Sequence, residues 1–244
     1  MVVLATKLTV HAGARERALD GLRSLVENAI GDLEADYEIG VRHDDFPTVT
    51  IEGEDAVAAR NALREEFGEI TEEFEPGETY VGTLESWDDE GFVLDAGRPI
   101  RVPTSELGLG QGRPAQLVER FGLVQHLPME FVYGGERTHG DGSRSSSGSG
   151  SDGDDEEPPR LSDAERDRLF EWTRGPGRVN VNSATRGQVR ATVNRAGHAK
   201  DIVTVERLGL LEQSVVCREG TDPPGLLAAI GPHLSSELRC VIPQ

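Results

Sequence analysis

Between Gly134 and Arg160 the chain reads GGERTHGDGSRSSSGSGSDGDDEEPPR, without one Ala, Val, Leu, Ile, Met, Phe, Tyr or Trp. No hydrophobic core can be built across such a stretch. Glycine, serine and acid bury too little apolar surface to offset the entropy of ordering the chain. The stretch is predicted to be a flexible linker or an inserted loop, so whatever folds must do so before it or after it. A length of 244 residues leaves room for two or three small domains.

Upstream, Leu4, Thr6, Leu8 and Val10 alternate with Ala5, Lys7 and Thr9, which predicts a strand. Leu19, Leu22, Val26, Ala29, Ile30 and Leu33 then recur at helical spacing from about Ala14 to Leu33. Tyr37, Ile39 and Val41 alternate again, and a turn at His43-Asp44-Asp45 leads to Val49 and Ile51. A second helix is carried by Ala56, Ala59, Leu63 and Phe67, and Glu69 to Phe74 could close the sheet. The order β-α-β-β-α with a possible last β predicts a ferredoxin-like split arrangement over residues 1–75.

Residues 76–133 change character. Closely spaced strand signals with glycine turns, followed by a short helix from Pro114 to Phe121, predict a small barrel. The run GETYVGTLESWDDEGFVLDAG…IRVPTSEL resembles the RNA-binding barrel named after the first small-subunit ribosomal protein, an OB-fold. It shares the opening Gly-x-x-Tyr-x-Gly, the central Gly-Phe-Val, a following Gly and the closing Ser-Glu-Leu. It departs from that family at Glu90, where an aromatic is usual, and near Pro103, where a histidine is usual. The resemblance implies base stacking by Phe92 with Tyr80 or Trp87, and phosphate contacts from Arg98 and Arg101. Barrel packing is the commoner fate of such strand aromatics.

After the low-complexity stretch, Ser162 and Glu165 have the spacing of a capping box, with Leu161 as a staple. The helix they open should stop before Gly175-Pro176-Gly177. Arg178–Asn182, a helix from Ala184 to Ala196, Ile202–Leu208, Gln213–Cys217, a helix near Pro224 to Leu234, and Leu238–Ile242 then give a second βαββαβ order. The predicted whole is an α+β protein. It has a ferredoxin-like N-terminal domain (1–75), a central OB-type β-barrel (76–133), an acidic Ser/Gly linker (134–160), and a helix with a ferredoxin-like C-terminal domain (161–244). In that last sheet the order is fourth, first, third, second. The first strand then separates Cys217 from Cys240 by roughly 10 Å or more, too far for a disulfide. Two free thiols are expected.

Charge narrows the setting. Acids outnumber bases 44 to 25, and Lys7 and Lys200 are the only lysines. The acids are spread through amphipathic patterns instead of gathered in one tail, which predicts a protein of a haloarchaeal, high-salt cytoplasm. No membrane span or secretory signal is read in the chain. At ~1 M salt the Debye length is about 3 Å, and counterion release loses its driving force. Net acidity therefore does not exclude a nucleic acid held by stacking and close-range arginine contacts.

One region opposes the trend. From Arg174 to Arg207 seven bases face only Asp201 and Glu206, a balance of +5 in a chain of −19. On the predicted helix Arg186, Arg190 and Asn194 share one side, while Val189, Val193 and Ala196 lie on another. With Arg195 and Lys200 the first set forms a candidate phosphate surface, since guanidinium forks suit phosphate oxygens. Equally, these bases could pair with the acidic linker or neighbouring domains. VNVNSAT before the helix is similar to the opening of a helix-hairpin-helix DNA-binding motif, but the second helix would have to include Ile202-Val-Thr-Val205, whose β-branched residues favour a strand.

No catalytic constellation is read. The six histidines form no metal-ligand spacing, no phosphate loop or nucleophile motif occurs, and no cofactor is expected. VNVNSATRGQVRATVNRAGHAKDIVTVERLG, with the OB-like centre, resembles an archaeal family of uncharacterised proteins, which implies no activity. The order of barrel, helix and ferredoxin-like domain is also that of the alpha subunit of archaeal translation initiation factor two, in architecture alone. The expectation is non-catalytic RNA binding, around ribosomes, translation or RNA processing. The alternatives are a protein-interaction adaptor or DNA binding through the C-terminal segment.

Overall fold

The structure is a computed structural model that describes residues 1–134 and 157–243. Most of the expected linker, 134–160, lies outside the described residues. The chain is α+β with three antiparallel sheets.

In the N-terminal part β1 (Val2–Val3), β3 (Pro47–Gly53) and β2 (Ala35–Val41) form a sheet in the order β1-β3-β2. Helices α1 (Ala12–Ile30) and α2 (Ala56–Phe67) cover it. Ala18, Leu22, Val26 and Ile30 recur every fourth residue and are buried, which seats one stripe of α1 on the sheet. Two sequence expectations shift here. The first strand ends at Val3, not Val10, because residues 4–8 are buried on both sides of the chain. Leu4 N–H reaches Pro47 O at 2.9 Å, Leu8 N–H reaches Asp45 O at 2.9 Å, and Lys7 turns outward to Asp95 and Glu85 of the next part. The possible closing strand is reduced to one bridge between Leu4 and Glu69.

The central sheet is a curled half-barrel in the order β6-β5-β4-β7-β8. Its strands are β4 (Thr79–Asp88), β5 (Gly91–Asp95), β6 (Pro99–Pro103), β7 (Pro128–Val132) and β8 (Arg160–Leu161). The bulge between Leu84 and Ser86 bends the long β4. Gly91, at φ 150°, turns β4 into β5 where a Cβ would sit 2.1 Å from Val102 O, so no other residue fits. β8 is contributed from beyond the low-complexity stretch and pairs with β7 through Leu161 and Phe131. Helices α3 (Pro114–Phe121) and α4 (Asp163–Arg174) pack on the same core through Leu117, Phe121, Leu169 and Trp172.

The C-terminal sheet has the order β10-β11-β9-β12, with β9 (Arg178–Val181), β10 (Ile202–Arg207), β11 (Gln213–Cys217) and β12 (Leu238–Val241). This is the order expected from the sequence. Cys217 and Cys240 are free and lie on the two strands that flank β9. Since Ile202–Arg207 is a strand, the second helix of a helix-hairpin-helix is not formed. Helices α5 (Arg186–Arg195) and α6 (Pro223–Ile230) share a core with Val179, Val181, Val205 and Val215.

The opposite face of that sheet is buried against the central part. Asn180 Nδ2 donates to Gly122 O at 2.8 Å, Gln125 N–H donates to Glu237 at 2.9 Å, and Val241 enters the central core. The loop between β10 and β11 reaches further. Leu210 and Leu211 are buried in the N-terminal core, and Leu210 N–H donates to Thr6 Oγ1 at 2.8 Å. All three parts are therefore interlocked by groups far apart in sequence.

Candidate nucleic-acid interface

Helix α5 begins with a reciprocal capping box: Thr185 Oγ1 accepts from Gln188 N–H, and Gln188 Oε1 accepts from Thr185 N–H. That start fixes the phase of the helix. Val189, Thr192 and Val193 are buried, while Arg186, Arg190 and Asn194 are exposed one turn apart. Arg195 closes the last turn, where a cation also complements the helix dipole. Lys200 follows in an exposed turn tied back to the helix by His198 N–H to Val193 O at 3.1 Å.

Both local acids are bonded to neighbouring side chains. Asp201, the first of the two local acids, bonds His198 at 2.8 Å, and Glu206, the second, pairs with Arg178 at 3.1 Å. Arg190, Arg195 and Lys200 are exposed and enter no ion pair among the described residues. Arg186 differs. Its Nε donates to Val205 O at 2.6 Å, so part of its guanidinium braces edge strand β10.

The five expected central residues do not form one surface. Phe92 is fully buried in the half-barrel core, so its ring has no face to offer a base. Trp87 is half-buried with Arg239 over its ring at 5.4 Å. Arg101 makes two bonds to Asp88, at 2.8 and 3.0 Å, and lies 3.4 Å from Glu90. Those bonds hold the Asp88 carboxyl below its usual range. Only Tyr80 and Arg98 meet in one place. Tyr80 stands edge-on to Phe74 at 4.8 Å and accepts Glu75 N–H at 2.9 Å. Arg98 lies over Phe74 at 4.7 Å and over Tyr133 at 5.5 Å, donating to the Tyr133 hydroxyl at 3.0 Å. Phe74 and Tyr133 were missed by sequence reading because they sit at the edges of the expected barrel.

Elsewhere the ionisable groups serve the joints between parts. Glu85 bonds Lys7 at 2.9 Å and His126 at 3.1 Å; burial pushes its carboxyl up, but these bonds outweigh that and hold it at about 2. A cleft of about 320 Å³ lies where the three parts meet, beside Glu165, Arg168 and Arg207. Arg168 bonds Glu165 at 2.6 Å, and Arg207 pairs with Glu66 and covers the Phe67 ring. Among the described residues no group of three His, Cys, Asp or Glu could hold a metal ion, and no helix is long and apolar enough to cross a membrane.

A search of curated proteins finds no match. Three family models together cover almost the whole chain: the DUF2110 N-terminal domain over residues 1–73, the DUF2110 central domain over 74–173 and the DUF2110 C-terminal domain over 176–242. The central match takes in β8 and α4, the same segments that pack on the central core. The chain belongs to the DUF2110 family.

Proposed function

We propose that this is a non-catalytic RNA-binding protein of a high-salt archaeal cytoplasm, gripping the phosphate backbone through the exposed face of α5. One observation carries the reading: in a chain of net charge −19, the two acids of this region bond His198 and Arg178, and Arg190, Arg195 and Lys200 are exposed without an ion-pair partner among the described residues. Arg186 and Asn194 extend the same stripe. Unscreened short-range contacts of this kind survive at molar salt, where long-range attraction does not. The fold reading supports the assignment. In the central sheet the first strand pairs with the second and the fourth, and the fifth follows the fourth, as in an OB-type barrel; we read the flanking sheets as ferredoxin-like. A protein-docking role has less support, since the exposed large apolar residues among those described are two in the N-terminal part, Met1 and Val57, and two in the C-terminal part, Val203 on β10 and Ile242 after β12, at opposite edges of one sheet.

The test is equilibrium binding of a structured RNA at molar salt by the parent and by Arg190→Glu with Arg195→Glu. Both side chains are exposed and outside any ion pair among the described residues, so the fold should be unchanged. A hydrogen bond to a charged group contributes about 1.5–3 kcal/mol, so affinity should fall roughly tenfold or more per contact. Equal affinity for the two proteins would remove α5 from the interface.

A further inference from the structure

We infer that the outer edge of β2 takes up an extended basic segment of a partner protein as an additional strand. This goes beyond the RNA reading, since β2 lies in the N-terminal part and α5 in the C-terminal part. β2 is seven residues long and stands last in the order β1-β3-β2. Arg42 N–H donates to Phe46 O at 2.9 Å, and the same register runs on from Val41 opposite Pro47 to Ala35 opposite Gly53. In an antiparallel ladder, pairs that exchange hydrogen bonds alternate with pairs that do not. Counted from Arg42, residues 36, 38 and 40 bond β3, and Tyr37, Ile39 and Val41 turn their N–H and C=O groups outward. No side chain bonds those groups among the described residues.

The other outer strands are covered. On β10, Val205 O accepts Arg186 Nε at 2.6 Å, Ile202 O accepts Arg218 Nε at 3.0 Å, and a bulge breaks the register between Ile202 and Thr204. β1 spans two residues, and its Val3 O accepts Ile70 N–H at 2.9 Å. β12 packs against α3 and α6, and the curl of the central sheet brings β6 beside β8. Natural sheets blunt their edges in such ways; β2 keeps its outward backbone groups open.

The two faces of this edge define the occupant. On the open face Asp36 and Glu38 are exposed, and exposed Glu52 stands opposite Asp36 in the ladder; none of the three enters an ion pair among the described residues. On the helix face Tyr37 and Ile39 are half-buried against the N-terminal core, and the Tyr37 hydroxyl donates to Glu27 of α1 at 3.1 Å. An incoming strand sends alternate side chains to the two faces. Basic residues would meet the acids, and apolar residues would meet Tyr37 and Ile39. Main-chain bonds supply the affinity in this mode and the alternation supplies the selectivity. A second copy of β2 is the wrong occupant, because it would set Asp36 and Glu38 against acids, and like charges across a strand pair are destabilising.

The test is binding to the full chain, at high salt, of a short peptide of alternating lysine and valine. Its controls are a peptide of the same composition with the lysines in one block, and one of alternating glutamate and valine. The lysine–valine alternation should bind about tenfold tighter than either control and should slow amide exchange at Tyr37, Ile39 and Val41. Ile39→Pro removes one outward N–H without touching a β2–β3 bond and should abolish binding. Glu38→Lys with Glu52→Lys, both at exposed positions, should weaken it about fivefold and turn the preference towards the glutamate peptide. Equal binding of the three peptides, or unchanged exchange at those three amides, would overturn the inference. So would a dimer of the full chain that Ile39→Pro returns to monomer, since a second copy would then be the occupant. Displacement of the bound peptide by RNA would overturn it too, by making nucleic acid the ligand of this edge.

Discussion

Replacing Glu212 with glutamine should make the protein more stable above pH 8 and less sensitive to pH below it. Glu212 follows Leu210 and Leu211 in the loop that enters the N-terminal core, and its side chain is fully buried. Oε2 accepts Leu211 N–H at 3.3 Å, while Oε1 has no partner among the described residues. Burial pushes the carboxyl up from 4.5 to about 8. An unfolded chain releases this proton near 4.5, whereas the native state keeps it until about 8. The native state therefore binds more protons across that window, and stability falls as pH rises through it. Each pH unit of the window contributes about 1.4 kcal/mol. The whole interval from 4.5 to about 8 corresponds to a loss of about 5 kcal/mol as an upper limit, since relaxation or water entry would lower it. The amide introduced by Glu212→Gln is neutral throughout and can still accept from Leu211. Denaturant unfolding of both proteins at fixed high salt, across the window, isolates this group because the other carboxylates cancel in the difference. The variant should gain on the parent steadily as pH rises. Parallel pH curves would refute the claim that this carboxyl is buried without a cationic partner.

Leu211→Ala should cost about 2–5 kcal/mol and, because Leu211 lies in the N-terminal core, should raise hydrogen exchange in α1 and α2; exchange confined to β10 and β11 would deny the interlock. Glu85 titrates at about 2 in the folded chain against an ordinary 4.5, so its contribution is present above 4.5 and lost as pH falls through 2. Thermal unfolding should accordingly show Glu85→Gln well below the parent at neutral pH and converging with it under acid, and a constant gap would contradict the Lys7–Glu85–His126 joint.

The C-terminal part was the most legible in the sequence because its strands and helices carry apolar residues at the period of the element, although β11 is buried on both faces. Val179 and Val181 alternate with Asn180, and Val189 and Val193 form the buried stripe of α5 while Arg190 is exposed. The Ser162 cap was also legible, and its Oγ accepts Glu165 N–H at 3.0 Å. The reciprocal half was not, since the Glu165 carboxylate turns to Arg168 instead of closing the box. Thr185 and Gln188 carried the same kind of signal and make the box in full. What escaped reading depends on tertiary contact. Alternation says that Phe92 faces one side of β5 but not that the curl makes that side the interior. Residues 4–8 alternate like a strand, yet they are buried on both sides because two domains meet there. No local pattern foretells that Leu210 and Leu211 complete a core formed mainly by residues 2–63. Nor could it foretell that Asp201 and Glu206 bond His198 and Arg178 and leave Arg190, Arg195 and Lys200 without an ion-pair partner among the described residues.

The most direct measurement is ultraviolet crosslinking of the protein to RNA in the cells that produce it, at their own salt, with the crosslinked peptides mapped by mass spectrometry. Binding along α5 predicts RNA adducts concentrated in residues 186–200, with their yield lost in Arg190→Glu with Arg195→Glu while the protein stays folded. Adducts confined to the central half-barrel, or the same yield from both proteins, would contradict it.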